Sequence, residues 1–241
     1  MKHYWFFDLD GTLADTDKDI REAWRATLVD LGIDCPNFER DFVAGPPIEA
    51  MAELLFPGLY TEELGVKLRS GFGEHYDHDG FPNTFEYPGV LDAVRKLKSV
   101  GCKVFVATNK RFAGATLMAR KFGWDQVFDF IYAGDMYTEE SIVWASEHGA
   151  MISDQLRKEG SDLNLGFQPQ PKLKKPALLA KILSERGISA ADAVMVGDTL
   201  SDFEAARVNG IESIGVTWGY GKSSELALAD RLVSTPGEIL I

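Results

Sequence analysis

Two carboxylates stand where an apolar run stops: Asp8 and Asp10, at i and i+2, follow His3-Tyr4-Trp5-Phe6-Phe7 and precede Gly11-Thr12. Side chains on an extended segment alternate faces, so both acids point the same way, toward one site at the strand's end. Phosphoryl transfer through an acyl-phosphate needs such a pair, one carboxylate to attack and a neighbour to protonate the leaving oxygen and later deprotonate water. By itself the Asp-x-Asp also reads as a turn and helix-cap element. A second cluster, Val104-Phe105-Val106-Ala107-Thr108-Asn109-Lys110, is an apolar strand that delivers a hydroxyl at its end. That hydroxyl can hold a phosphoryl oxygen together with backbone N–H groups of the next helix, or Thr108 or Asn109 can simply cap that helix. A third, Met195-Val196-Gly197-Asp198-Thr199-Leu200-Ser201-Asp202, again puts acids past a buried strand, the oxygen ligands that hard divalent cations prefer. Its plainer reading, a glycine turn with a capping Asp, suits Asp202 better than it suits both acids.

The elements that must position these groups follow from periodicity. Short apolar runs recur at His3 to Phe7, Lys103 to Ala107, Phe128 to Ala133, Ala193 to Val196 and Glu212 to Val216, each closed by a polar or glycine-rich cluster. Between them lie amphipathic helical segments, including Val90 to Val100 and Pro176 to Glu185. Strands alternating with helices predict an α/β fold, a Rossmann-like doubly wound parallel sheet covered on both faces. Ligands of such sheets bind beyond the carboxyl ends of the strands, where Asp8, Thr108 and Asp198 all fall.

The stretch 16–87 breaks the alternation. Its segments Ile20 to Leu31, Ile48 to Leu55 and Thr61 to Phe72 read as helices, which predicts a small inserted all-helical cap domain on a discontinuous core of 1–15 and 88–241. Chain near Ala14 to Thr16 and Glu86 to Gly89 would link the two. A further irregular stretch, 136–171, is an atypical insertion within the core, with helical pieces at Ile142 to Ala145 and Ile152 to Leu156.

A formal net charge of −12 over 241 residues argues against nucleic-acid or anionic-membrane partners, which need Lys and Arg massed on one face. An acidic chain can still bind a phosphate through a divalent cation or a few placed cations. The two cysteines, Cys35 and Cys102, make neither a disulfide framework nor a metal site, and no run approaches a membrane span or a signal peptide. A cytoplasmic location and a monomer or homodimer are expected. His75 and His78, with Asp79 beside them, form a His-x-x-His without further ligands at zinc spacing.

Taken in order, the clusters resemble the haloacid dehalogenase superfamily over nearly the whole chain except about 136–171. The pattern is a DxDGT strand end, a strand ending in Ser or Thr, a Lys before a helix, and a GDxxxD strand end. Asp8, Asp10, Gly11 and Thr12 supply the first, Thr108 the second, and Gly197, Asp198 and Asp202 the last. The resemblance implies that Asp8 attacks phosphorus and that Asp10 is the general acid/base and lends a carbonyl to Mg²⁺. It implies that Thr108 with Asn109 and a lysine holds the phosphoryl group, that Asp8, Asp10 and Asp198 form the metal site, and that Asp202 is a ligand or a partner behind it. Lys172, Lys174 and Lys175 compete for the lysine; Lys175 fits best, because Pro176 suits a first helical turn, with Lys174 second.

The cap is similar in length to the helical bundle of phosphoglycolate phosphatase-like members, and Val43-Ala44-Gly45-Pro46-Pro47-Ile48 resembles their Gly-Pro-Pro loop. Gly45, Pro46 and Arg69 are therefore expected to read the substrate, with Arg21 and Arg25 as further cations or as solvated helix faces. The function implied is a Mg²⁺-dependent phosphatase acting on a small phosphomonoester, phosphoglycolate first. A 5'-nucleotidase or a sugar phosphomutase is the alternative, and a catalytically silent binding module is a more distant one. Asp10 disfavours a dehalogenase, since those relatives lack the second Asp.

Overall fold

The computed structural model describes residues 2–78, 80–150 and 169–240. Strands β1 (Tyr4–Phe7), β4 (Lys103–Thr108), β5 (Phe130–Ala133), β6 (Ala193–Gly197), β7 (Glu212–Val216) and β8 (Arg231–Val233) form one sheet in the order β5-β4-β1-β6-β7-β8. Every pairing in it is parallel, with Tyr4 opposite Lys103 on one side and Ala193 on the other. Their continuous apolar runs follow from burial of both faces. Trp5, Phe7, Val104, Val106, Val194 and Val196 pack into one core cluster, whereas Phe6, Phe105, Ala107, Ala193 and Met195 pack into the other. The sheet faces are covered by helices α5 (Val90–Ser99), α6 (Phe112–Phe122), α7 (Glu139–His148), α8 (Lys175–Arg186) and α9 (Leu200–Asn209).

The helical unit after β1 comprises α1 (Asp17–Asp30), α2 (Phe38–Asp41), α3 (Ile48–Leu55) and α4 (Glu62–His78). Its own core is aromatic: Trp24 lies against Phe42 and Phe72, and Phe72 stacks on Tyr76 with ring centroids 5.0 Å apart. The link to the sheet domain is a two-stranded antiparallel ribbon, β2 (Ala14–Asp15) with β3 (Phe85–Glu86), in place of two separate linkers.

Several elements differ from the sequence expectation. Helix α4, expected over Thr61 to Phe72, runs on to His78 because the buried Tyr76 continues its apolar face past Gly71 and Gly73. A side chain at Gly73 would put its Cβ 2.3 Å from the Arg111 guanidinium, so the helix accepts a poor helix former where the core touches it. Strand β8 was not anticipated; three residues with a half-exposed Leu232 carry too little periodicity to read. Within 136–171, Ile142 to Ala145 falls inside α7, capped by the Thr138 hydroxyl, while Ile152 to Leu156 lies outside the described residues. No helix among the described residues is long and apolar enough to cross a membrane.

Candidate active site

Parallel strands deliver their carboxyl ends to one edge, and the turns after β1, β4 and β6 meet there. Asp8 continues β1, its N–H bonded to the Val196 carbonyl at 2.9 Å. One carboxylate oxygen, Oδ1, accepts the Leu9 N–H at 2.8 Å, and the other, Oδ2, lies 2.9 Å from the Lys175 ammonium. Lys175 is the first residue of α8, and its side chain is fully buried; its Nζ also reaches Asp202 Oδ1 at 2.5 Å. Burial disfavours that ammonium, but Asp202 and Asp8 outweigh it and hold the group above its usual range. Lys174 is the residue before the helix. Of the three lysines weighed, it is Lys175 that contacts Asp8.

Asp202 serves two purposes with its two oxygens. Oδ2 accepts the Thr199 N–H at 3.0 Å and the Thr199 hydroxyl at 2.9 Å, closing a capping box at the start of α9, while Oδ1 takes Lys175. Asp198 is bracketed by the Thr12 hydroxyl, 3.1 Å from Oδ1, and by the Tyr220 N–H, 2.7 Å from Oδ2. The packing around it leaves no room for side chains at Gly11, where φ is 77° and a Cβ would lie 2.2 Å from Asp198 Oδ2.

Asp8, Asp198 and Asp202 each offer an oxygen within 4.8 Å of the others, the only such acidic, His or Cys group among the described residues. Burial, then repulsion from Asp202, pushes the Asp8 and Asp198 carboxyls up from their ordinary range. Three buried carboxylates against one buried ammonium leave negative charge uncompensated, and oxygen donors in that crowding fit a hard divalent cation.

Asp10 has different partners. Its Oδ1 accepts the Thr16 hydroxyl at 2.7 Å and the Lys110 ammonium at 2.9 Å. Lys110, only 6% exposed at its side chain, donates in turn to the Tyr76 hydroxyl at 2.6 Å and so joins the core acid to cap helix α4. Thr108 Oγ1 accepts the Lys110 N–H at 3.1 Å, which leaves its O–H to donate. Asn109 sends its amide to Ser201 Oγ at 2.8 Å, tying the turn after β4 to α9.

Among the expected cap residues, Gly45, Pro46 and Arg69 line a cavity of about 380 Å³ between cap and core, into which Asp10 also opens. Arg69 pairs with Glu49 at 2.7 Å and Glu62 at 2.8 Å. Arg21 and Arg25 do not line it: Arg21 bonds Asp17 and Arg25 bonds Glu39. His75 pairs with Asp30 at 2.7 Å, and Asp79, the third member of the zinc reading, lies outside the described residues. Trp218 donates to the Thr12 carbonyl at 3.2 Å and packs on Tyr87.

Three groups escaped the sequence reading: Lys110, Tyr76 and Tyr220. Lys110 carried a signal, a cation two residues past the Thr108 strand end in an acidic chain. Tyr76 and Tyr220 carried none, since an aromatic in a helix or a glycine loop reads as packing. The Tyr220 hydroxyl accepts the N–H groups of Thr16 at 2.6 Å and Asp17 at 3.0 Å, at the start of the cap, and donates to Asp15 at 3.0 Å.

The parallel sheet carries the acidic cluster at its strand ends, and the helical unit is inserted after β1. A family model of haloacid dehalogenase-like hydrolases matches residues 5–210, and the chain belongs to that family. It is an enzyme of the phosphoric monoester hydrolase type. Similar proteins include a 5'-nucleotidase of Pseudomonas aeruginosa, 27% identical, covering 91% of this chain and 85% of its own. A phosphoglycolate phosphatase of Aquifex aeolicus is 27% identical over 97% of this chain and 93% of its own. The crystal structure of a predicted phosphatase from Clostridium acetobutylicum has the same fold, with a TM-score of 0.77 at 23% identity over 100% of this chain and 97% of the other.

Proposed function

We propose that the chain is a Mg²⁺-dependent phosphatase that hydrolyses a small phosphomonoester through an aspartyl-phosphate on Asp8. The observation that carries this reading is the buried Lys175 ammonium, shared by Asp8 at 2.9 Å and Asp202 at 2.5 Å beside Asp198. A carboxylate fixed by the Leu9 N–H and by a permanent cation is oriented for attack, and the same cation offsets charge on the phosphoryl oxygens. Bound by Asp8, Asp198 and the Asp10 carbonyl, Mg²⁺ would supply Lewis-acid stabilisation of those oxygens. Asp202, both of whose oxygens have protein partners, stands behind the metal site as the counter-charge of Lys175.

In the first step an Asp8 oxygen bonds to phosphorus, the ester P–O bond breaks, and Asp10 gives its proton to the leaving oxygen. In the second, Asp10 takes a proton from water, whose oxygen bonds to phosphorus as the bond to Asp8 breaks. Both contacts to the Asp10 carboxylate fall on Oδ1, which leaves Oδ2 to give and take the proton. Thr108, through its O–H, and Asn109, beside it, complete the phosphoryl grip. The names of the relatives bring two leaving groups to consider, glycolate and a nucleoside.

The test is phosphate release from a panel of small phosphoesters with and without Mg²⁺, beside Asp8→Asn. The expected result is turnover that needs the cation, falls about 10⁴-fold or more in the variant, and adds one phosphoryl mass to Asp8 on acid quenching. Wild-type-like turnover by Asp8→Asn would remove the mechanism. Isomer formation from a sugar phosphate without phosphate release would instead identify a mutase.

A further inference from the structure

The cavity between cap and core is where the leaving group must lie, since Asp10 opens into it. Its charges are already spent on one another. Arg69 is held by Glu49 and Glu62, Lys172 approaches Glu49 at 3.8 Å, Arg111 is paired with Asp77, and Lys110 is paired with Asp10. Each of the four cationic side chains lining the cavity thus has a carboxylate partner, and Glu140 adds a further acid. A leaving group with its own carboxylate would have to break one of these pairs or crowd beside an existing acid, and like charges brought together in a partly dry site are strongly unfavourable.

The same lining suits another chemistry. Carboxylates accept hydrogen bonds and donate none, so they favour hydroxyl or amino donors on the ligand. On the cap side Trp24, Phe72 and Tyr76 line the cavity, the last two stacked on each other, and make that side aromatic and apolar. An apolar aromatic wall favours contact with a ring over contact with a short charged acid. A volume of about 380 Å³ would hold a two-carbon glycolate with most of the space left to water.

We propose that the cap cavity selects phosphomonoesters whose leaving group is uncharged, rich in hydrogen-bond donors and built on a flat ring, the class to which nucleosides belong, and that Glu49 and Glu62 enforce this by neutralising Arg69. The inference rests on the phosphatase reading above and narrows its substrate.

The experiment compares kcat/KM for uridine and adenosine 5'-monophosphates, phosphoglycolate, glycerol 3-phosphate and p-nitrophenyl phosphate in wild type and in the double variant Glu49→Gln, Glu62→Gln. In wild type at least one nucleotide is expected to exceed both phosphoglycolate and glycerol 3-phosphate by about tenfold or more, the scale of a polar or charge mismatch in a site. In the double variant, Arg69 becomes available and the phosphoglycolate-to-nucleotide ratio is expected to rise about fivefold or more. A ratio taken on one sample is independent of how much of that sample is folded. Phosphoglycolate or glycerol phosphate at or above both nucleotides overturns the inference, as does an unchanged ratio in the double variant. If wild type fails to turn over even p-nitrophenyl phosphate, the phosphatase reading itself has failed, a result distinct from turnover with the wrong selectivity.

Discussion

The two halves that face the cavity handle charge in opposite ways. On the core side, Asp8, Asp198 and Asp202 are buried and share one buried ammonium, a surplus of negative charge that the proposed cation would offset. Around the cavity, by contrast, each acid-base pair is closed within the protein: Arg69 with Glu49 and Glu62 inside the cap, and Arg111 of the core with Asp77 of the cap. Ionic groups kept uncompensated in a low-dielectric setting are costly and do chemistry, whereas self-neutralised pairs shape a pocket and exclude wrong partners. The bridges between the halves are the Arg111–Asp77 ion pair, the Lys110 ammonium donated to the Tyr76 hydroxyl, and the Tyr220 hydroxyl at the first residues of the cap.

That contrast can be broken most directly at its two central cations. Lys175→Met removes the only ammonium from two buried carboxylates, and a loss of about 3 kcal/mol in metal-free protein is expected, read by urea unfolding. Arg69→Met removes a part-exposed cation from part-exposed acids and is expected to cost less than about 1 kcal/mol. Equal costs would mean the two halves do not differ as described.

Adding Mg²⁺ is expected to stabilise the folded state by about 2.7 kcal/mol at a hundred times its dissociation constant. A thermal melt would show the shift in wild type, and Asp198→Asn should remove it; a shift that survives in that variant would place the cation elsewhere.

A smaller effect tests the bridge. Tyr220→Phe keeps the backbone N–H that holds Asp198 but loses the hydroxyl that meets Thr16, Asp17 and Asp15. A cost of about 1 kcal/mol is expected, with turnover lowered severalfold and Mg²⁺ affinity retained. Weakened Mg²⁺ binding would show that the phenol acts on the metal loop and not on the cap.

The smallest effect is expected within the core, between β7 and the edge strand β8 and away from the strand ends that carry the acids. Hydrogen bonds from the Ser213 hydroxyl and N–H hold the Asp230 carboxyl below its ordinary value. A carboxylate with a depressed folded-state pKa stabilises the fold above its unfolded value of about 3.9, and this contribution is lost as pH falls through the folded value. Ser213→Ala is therefore expected to cost a few tenths of a kcal/mol at pH 7, after discounting for solvent screening, with the deficit shrinking toward pH 3. A deficit that grows in acid would contradict the assignment.

The sequence by itself determined the strands and the carboxylates at their ends, because a strand buried on both faces must be apolar throughout and its first polar residues mark the sheet's edge. It also narrowed the lysine to Lys174 or Lys175, since both stand at a helix start before Pro176. Only the tertiary structure decided between them, by burying Lys175 against Asp8 and Asp202 while Lys174 stays outside the helix. It alone made Tyr76 and Tyr220 part of the site, and it alone showed that Arg69 is neutralised, because Glu49 lies 20 residues away in sequence and on another helix. A carboxylate's location can be read from local periodicity. Its net charge environment depends on which distant side chains the packing brings within hydrogen-bond reach, and no local pattern encodes that.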